Sequence, residues 1–189
     1  LDLLSEFGIF ENYAAGQGHL VGFNNPINGW TSSNTALAVA PDGTIYKGYE
    51  NNLYTLDPLT GAESFKVQLN DLNDSSIIRP YAFAFDGNGI LYMAAHGHSP
   101  SNCNEYIATV DTTTGDVSQI AKISYGDEYW YGGMNAITFS PDGTFYGVKG
   151  SSNPQNYGSR LYTINKETGE LTFVAIIQEM FGEIENVEI

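Results

Sequence analysis

Two imidazoles stand two residues apart in His96-Gly97-His98, with Cys103 and Glu105 close behind. On an extended backbone, residues i and i+2 line one side. His96 and His98 are therefore candidates for zinc ligands beside a thiolate or carboxylate, or for a general base working with an acid partner. The plainer reading is a solvated loop. Cys103 is the only cysteine, so no internal disulfide is available. A lone thiol becomes a nucleophile only beside an activating basic group, which spacing does not supply, and a buried or incidental thiol is the simpler expectation. Asn70-Asp71-Leu72-Asn73-Asp74 is oxygen-rich and makes Asp71 and Asp74 candidates for calcium. The glycine and distal glutamate of the EF-hand spacing are missing from it.

A second group of residues suits recognition rather than catalysis. Tyr129-Trp130-Tyr131 follows Asp127, and the other tryptophan is Trp30. Flat rings with polar tips stack on sugar rings or bury in a protein interface, and Asn153, Asn156, Asp127 and His98 would add directional hydrogen bonds. The alternative is that the rings plug a channel mouth or pack between structural units. Both readings stay open at this point.

The elements that must position these residues are repeats. Met134 to Phe173 contains an apolar run ending in Ser-Pro-Asp-Gly-Thr, a second run with Phe145 and Tyr146, a polar loop, and two further runs flanking Lys166-Glu167-Thr168-Gly169. The same order occurs from Thr35 to Leu69 and from Pro80 to Ile123. Gly61, Gly115 and Gly169 close Thr-Gly turns at a constant interval, and Asp42-Gly43, Asp86-Gly87 and Asp142-Gly143 mark the earlier turn. Tyr46, Tyr92 and Tyr146 follow at matching places. The runs are short, rich in β-branched and aromatic residues, and bounded by Pro, Asp and Gly, which predicts strands such as Ala36 to Val39, Thr44 to Gly48, Leu53 to Leu56 and Ser64 to Leu69. Four strands per unit, at a period of about 40 to 50 residues, is the pattern of a propeller blade.

The expected fold is thus all-β: a β-propeller of four-stranded antiparallel blades over about 35–70, 80–124 and 134–178, with blade remnants at 1–34 and 179–189, all in one domain spanning 1–189. Phe7 to Asn12 and His19 to Phe23 read as the third and fourth strands of a blade, and Ile184 to Ile189 falls where the next innermost strand would begin. The terminal pieces could pair to close a small four-bladed ring, since a propeller must protect its edges. Alternatively the chain is part of a larger ring, completed by self-association or by further chain segments.

The SPDGT-x-Y element followed by LYTIN-x-x-TG resembles the blades of secreted or periplasmic bacterial propellers of the NHL, YVTN and quinoprotein-like kind. That resemblance implies blade architecture and an extracellular or periplasmic location. It implies no function, because such families include sugar binders, protein scaffolds and a few enzymes. No catalytic set carries over, and no regular tryptophan docking motif supports a quinone cofactor.

Composition narrows the partners. The chain has 189 residues, 42 % of them hydrophobic and 13 % aromatic, which suits one well-buried domain. Seven basic against 22 acidic residues give a formal charge of −15, which repels phosphate backbones and anionic lipid and argues against nucleic acid. No run approaches the roughly 20 apolar residues of a membrane span. In a meander, the first-to-second and third-to-fourth connections share one end, and here these are short turns. The other end collects Asn24 to Asn34, Asn70 to Arg79, His96 to Glu105, Tyr125 to Asn135 and Ser151 to Ser159. Irregular loops on a rigid scaffold usually carry function. The expectation is a non-catalytic binding module for a carbohydrate or protein ligand, with calcium as a candidate cofactor. The alternatives are a propeller lyase or hydrolase using His96 or His98 in the central mouth, and a purely structural segment of a larger surface protein.

Overall fold

Two kinds of turn recur, and each is closed by its own polar atoms. In the Thr-Gly turns the side-chain oxygen of the leading residue accepts two backbone N–H groups. Asp57 accepts from Leu59 and Thr60 at 2.8 Å each, Asp111 from Thr113 and Thr114 at 2.7 and 3.0 Å, and Asn165 from Glu167 and Thr168 at 2.9 and 3.1 Å. The amides of Gly61, Gly115 and Gly169 then donate to the carbonyls of these same leading residues at 2.8, 2.8 and 2.7 Å. In the earlier turns, Gly43, Gly89 and Gly143 donate to Ala40, Asp86 and Ser140 at 2.9, 3.0 and 2.9 Å. The middle turn corrects the sequence alignment: Asn88-Gly89, not Asp86-Gly87, matches Asp42-Gly43. Asp86 instead occupies the place of Ala40 and Ser140, buried, accepting from the amides of Asn88 and Ile90. The positive φ falls on Gly89, and the tyrosine spacing then agrees in all three units.

The computed structural model describes residues 35–71, 77–99, 102–123, 134–149 and 159–177. Between the turns lie three sheets. The first is an antiparallel meander of β1 (Thr35–Val39), β2 (Ile45–Tyr49), β3 (Asn52–Leu56) and β4 (Glu63–Gln68). The second contains β5 (Asn70–Asp71), β6 (Ile77–Phe85), β7 (Leu91–Ser99), β8 (Asn102–Val110) and β9 (Asp116–Lys122), in the order β5-β9-β8-β7-β6. Here β5, the continuation of the first blade, adds to β9 in parallel. The third is a meander of β10 (Met134–Phe139), β11 (Phe145–Lys149), β12 (Ser159–Ile164) and β13 (Leu171–Ile177). These are blades of a β-propeller. The terminal remnants lie outside the described residues.

The middle blade is covered on both faces because its side chains alternate. Phe83, Leu91, Met93 and Ala95 pack with Ala36, Tyr46, Leu53 and Leu69 of the first blade. Ala82, Ala84, Tyr92, Ala94 and Ile107 pack with Met134, Ile137, Phe145 and Ile164 of the third. Period-2 alternation on a strand buried on both faces produces this division. The repeated tyrosine sits at each seam. The Tyr46 ring lies 5.3 Å from Phe85, and the Tyr92 ring lies 5.1 Å from Phe139 and 5.3 Å from Phe145.

A repeated irregularity shapes the outer strand. Pairing skips one residue between Leu53 and Tyr54, between Ile107 and Ala108, and between Leu161 and Tyr162, which leaves Lys66, Ile120 and Val174 as the extra residues of β4, β9 and β13. Such a bulge increases local twist. The outer strand of each of the first two blades thereby reaches the next blade's Thr-Gly turn. A Cβ at Gly115 would stand 2.0 Å from the Gln68 carbonyl oxygen, and one at Gly169 would stand 2.3 Å from Ala121 Cβ. The Asn70 amide donates to the Gly115 carbonyl at 2.8 Å, tying the two blades by backbone.

This seam predicts a contrast. Gly115 has φ +81 and no room, whereas Gly143 has φ +86 and nothing within 4 Å of its absent Cβ. Gly143→Ala should cost only the left-handed strain, about 1–2 kcal/mol, while Gly115→Ala adds a backbone clash and should cost about 2–4 kcal/mol. Urea midpoints of the two variants check the difference; equal losses would contradict the seam.

Acid stability should report the turns. The Asp57 and Asp111 carboxyls are held below their ordinary 3.8 chiefly by the amides of Thr60 and Thr114, then those of Leu59 and Thr113; Asp42 is lowered chiefly by the Thr44 amide. Asp142 is lowered first by the Ser140 hydroxyl and then by the Thr144 amide. A lowered folded value means stability that is complete above 3.8 and lost as pH falls through the folded value. Since Asn165 performs the same bonding without titrating, Asp57→Asn with Asp111→Asn should reduce the loss of melting temperature below about pH 4. A loss as large as the native chain's would count against this role.

Candidate functional site

The turn end of the blades offers little free polar chemistry. Its repeated Asp, Asn and Thr oxygens are engaged with neighbouring amides, as in the bonds from Ala62 and Glu170 to the hydroxyls of Thr60 and Thr168. The opposite end is where β2, β7 and β11 finish and where β6, β8 and β12 begin. Among the seven lysines and arginines of this acidic chain, Lys149 ends β11, Arg160 is second in β12 and Arg79 is third in β6. Lys149 is buried.

One segment expected as a loop is regular instead. His96 to Ser99 extends β7 and Asn102 to Glu105 begins β8, so the two strands run nine residues each where β2 and β11 run five. His96 stands opposite Glu105 on one side and Arg79 on the other, and His98 stands opposite Cys103 and Ile77. The sequence obscured this because Gly97, Ser99, Pro100, Asn102 and Asn104 have low β-propensity. A cross-strand partner overrides local preference here. The segment from Asn70 to Arg79 also departs from a plain loop, since Asn70 and Asp71 form β5 and Ile77 already lies in β6.

Of the calcium candidates, Asp71 is opposite Val117 in the β5–β9 pair, and Asp74 lies outside the described residues. Trp30, Asp127, Tyr129, Trp130, Tyr131, Asn153 and Asn156 lie outside them as well. The strand ends nevertheless bracket the segments that carry most of these residues: 124–133 joins β9 to β10, and 150–158 joins β11 to β12. Both connections therefore leave from the end opposite the short turns.

Sequence reading did not single out the lysines. Lys47 is 3 % exposed on β2 and forms an ion pair with Glu63 on β4. Its ammonium is also 5.9 Å from the centre of the Tyr49 ring. A charge this deeply buried requires such a partner, so Lys47 is a structural residue of the first blade. No sequence periodicity distinguishes it from an exposed strand lysine.

No family model matches the chain, and no curated protein is similar to it at a significant level. Solved structures are. A putative exo-β-1,3-galactanase from Bifidobacterium bifidum s17 superposes with a TM-score of 0.51 at 15 % identity, over 75 % of this chain and 51 % of that one. An engineered GH43 glycoside hydrolase with endo-xylanase and exo-arabinofuranosidase activity gives 0.52 at 13 % identity, over 82 % and 33 %. The Dos1 propeller gives 0.40 at 17 % identity, over 82 % and 38 %. The chain thus spans about half the length of these structures or less. At such identities the likeness is one of fold alone: an all-β propeller of four-stranded antiparallel blades.

Proposed function

We propose that this propeller is an exported binding module that recognises a carbohydrate through the end opposite its short turns. One observation supports the reading: the repeated turns close their own hydrogen bonds, while the segments 124–133 and 150–158, rich in aromatic and amide side chains, connect strand ends on the other side. Trp30, Tyr129, Trp130 and Tyr131 would stack on sugar rings. Asp127, Asn153, Asn156 and His98 would hydrogen bond to hydroxyls. A protein ligand is the competing occupant of the same surface. The sugar-active names among the similar structures are compatible with a carbohydrate and decide nothing at their identity.

Binding to a broad oligosaccharide array, with and without calcium, tests this directly. The native chain should bind a restricted set of glycans, and Trp130→Ala should lose affinity several-fold or more, as expected when a stacking ring worth about 0.5–1.5 kcal/mol is removed. A calcium requirement would bring Asp71 and Asp74 into the site. A blank array from folded native chain would overturn carbohydrate recognition, and unchanged binding by Trp130→Ala would overturn the placement of the site.

A further inference from the structure

We propose that the two outer flanks of this propeller bind each other between copies, the third blade of one chain packing on the first blade of a second, so that two chains complete one ring. The inference is independent of the glycan reading. It starts from a seam that the chain builds twice. The trailing face of the first blade, with Ala36, Tyr46 and Leu53, packs on the leading face of the second, with Phe83 and Val110. Ala82, Tyr92 and Ile107 of the second blade pack in the same way on Ile137 and Ile164 of the third. One leading face and one trailing face are left over, each without a described blade against it.

The leftover leading face, on the first blade, is one half of such a seam. Leu37 holds the register place of Phe83 and Ile137, yet it is 46 % exposed where they are 4 and 7 % exposed. Leu56 begins its Thr-Gly hairpin as Val110 and Ile164 begin theirs; it is half-buried and they are buried. The turn is uncovered as well. Gly61 is half-buried, whereas Gly115 and Gly169 are buried against the outer strand of the preceding blade. Leu59, 82 % exposed, holds in that turn the place of Glu167. Glu167 lies close to Tyr92 across its own seam: the Tyr92 hydroxyl is held above its ordinary 10.0 by burial first, then by Asp86 and Glu167. Leu59 would therefore meet the corresponding Tyr146 of a neighbouring copy.

The leftover trailing face, on the third blade, is the other half. Ala136, Tyr146 and Leu161 hold the places of Ala82, Tyr92 and Ile107. Those counterparts are buried, while Ala136 is exposed and Tyr146 and Leu161 are half-buried. On β13, Ala175 holds the place of Ala121, which meets the Gly169 turn. One chain thus carries both faces of a further seam, and a second copy brings each face its counterpart. Such a contact is head-to-tail and closes when the rotation permits. Propeller rings typically hold four to eight blades, so three leave the flanks apart and two copies bring six. Lys47 and Glu63 stand on the leading face at the places of Met93 and Val117. Their ion pair carries no net charge into the contact.

Sedimentation equilibrium of the native chain, in dilute buffer and in roughly 0.5 M salt, tests the assembly. The expected mass is that of two chains, held more tightly in high salt because each carries a formal charge of −15. Leu37→Asp and Ala136→Asp, at exposed places on opposite flanks, should each weaken association about tenfold or more. An equimolar mixture of the two variants should recover it in part, because one seam of the mixed pair keeps both native faces. Ile90→Thr, on the middle blade's turn at the place of Thr44 and Thr144, should leave association unchanged. Circular dichroism verifies that each variant is folded. A single-chain mass for the folded native protein in both salts would overturn the proposal, as would an open-ended series of larger masses. Association untouched by either flank variant, no recovery in the mixture, or an equal loss in Ile90→Thr would also overturn it.

Discussion

The approach of a glycine to a neighbouring backbone holds the blades together. Gly115 turns against the Gln68 carbonyl, and Gly169 turns against Ala121 one blade further on. Both approaches depend on the outer-strand bulge, which supplies the twist that carries β4 and β9 across to the next blade's turn. The aromatic and aliphatic seams lie inside this contact, with Tyr46 on Phe85 and Tyr92 on Phe139. Apolar burial supplies the larger favourable free energy. The glycines and bulges set the geometry in which that burial is possible.

The same repeat logic marks the flanks of the three blades. Val39 occupies the place taken by Phe85 and Phe139 in the other blades, and it is 54 % exposed. Phe173, Val174 and Ile176 on β13 are also exposed, although Ala121, at the place corresponding to Ala175, meets a glycine turn. The two outer flanks carry the side chains of seams.

The architecture was legible in the sequence because its signals were local. A Thr-Gly turn led by Asp or Asn needs its residues at fixed offsets, and those offsets appear three times. The middle turn is ambiguous because Asp86-Gly87-Asn88-Gly89 contains two candidate dipeptides; the three-residue spacing to Tyr92 and the positive φ of Gly89 both select Asn88-Gly89. The bulges left no trace, since Lys66, Ile120 and Val174 share no residue type. For the candidate site, the sequence separated the two ends of the blades but misjudged His96 to Glu105. That segment's conformation depends on cross-strand partners, and no local preference encodes them. The aromatic residues named for ligand recognition lie outside the described residues, and their role is a proposal.

The physical picture is of blades joined into one cooperative body at their seams, with the irregular connections at one end. Site-resolved hydrogen exchange of the native chain tests that most directly. The amides of Asn70 and Gly115 at the first seam should be protected together with those of β3 and β8, all exchanging through one common opening. Separate openings for the first and second blades, with Asn70 and Gly115 exchanging freely, would contradict the seam as the organising contact.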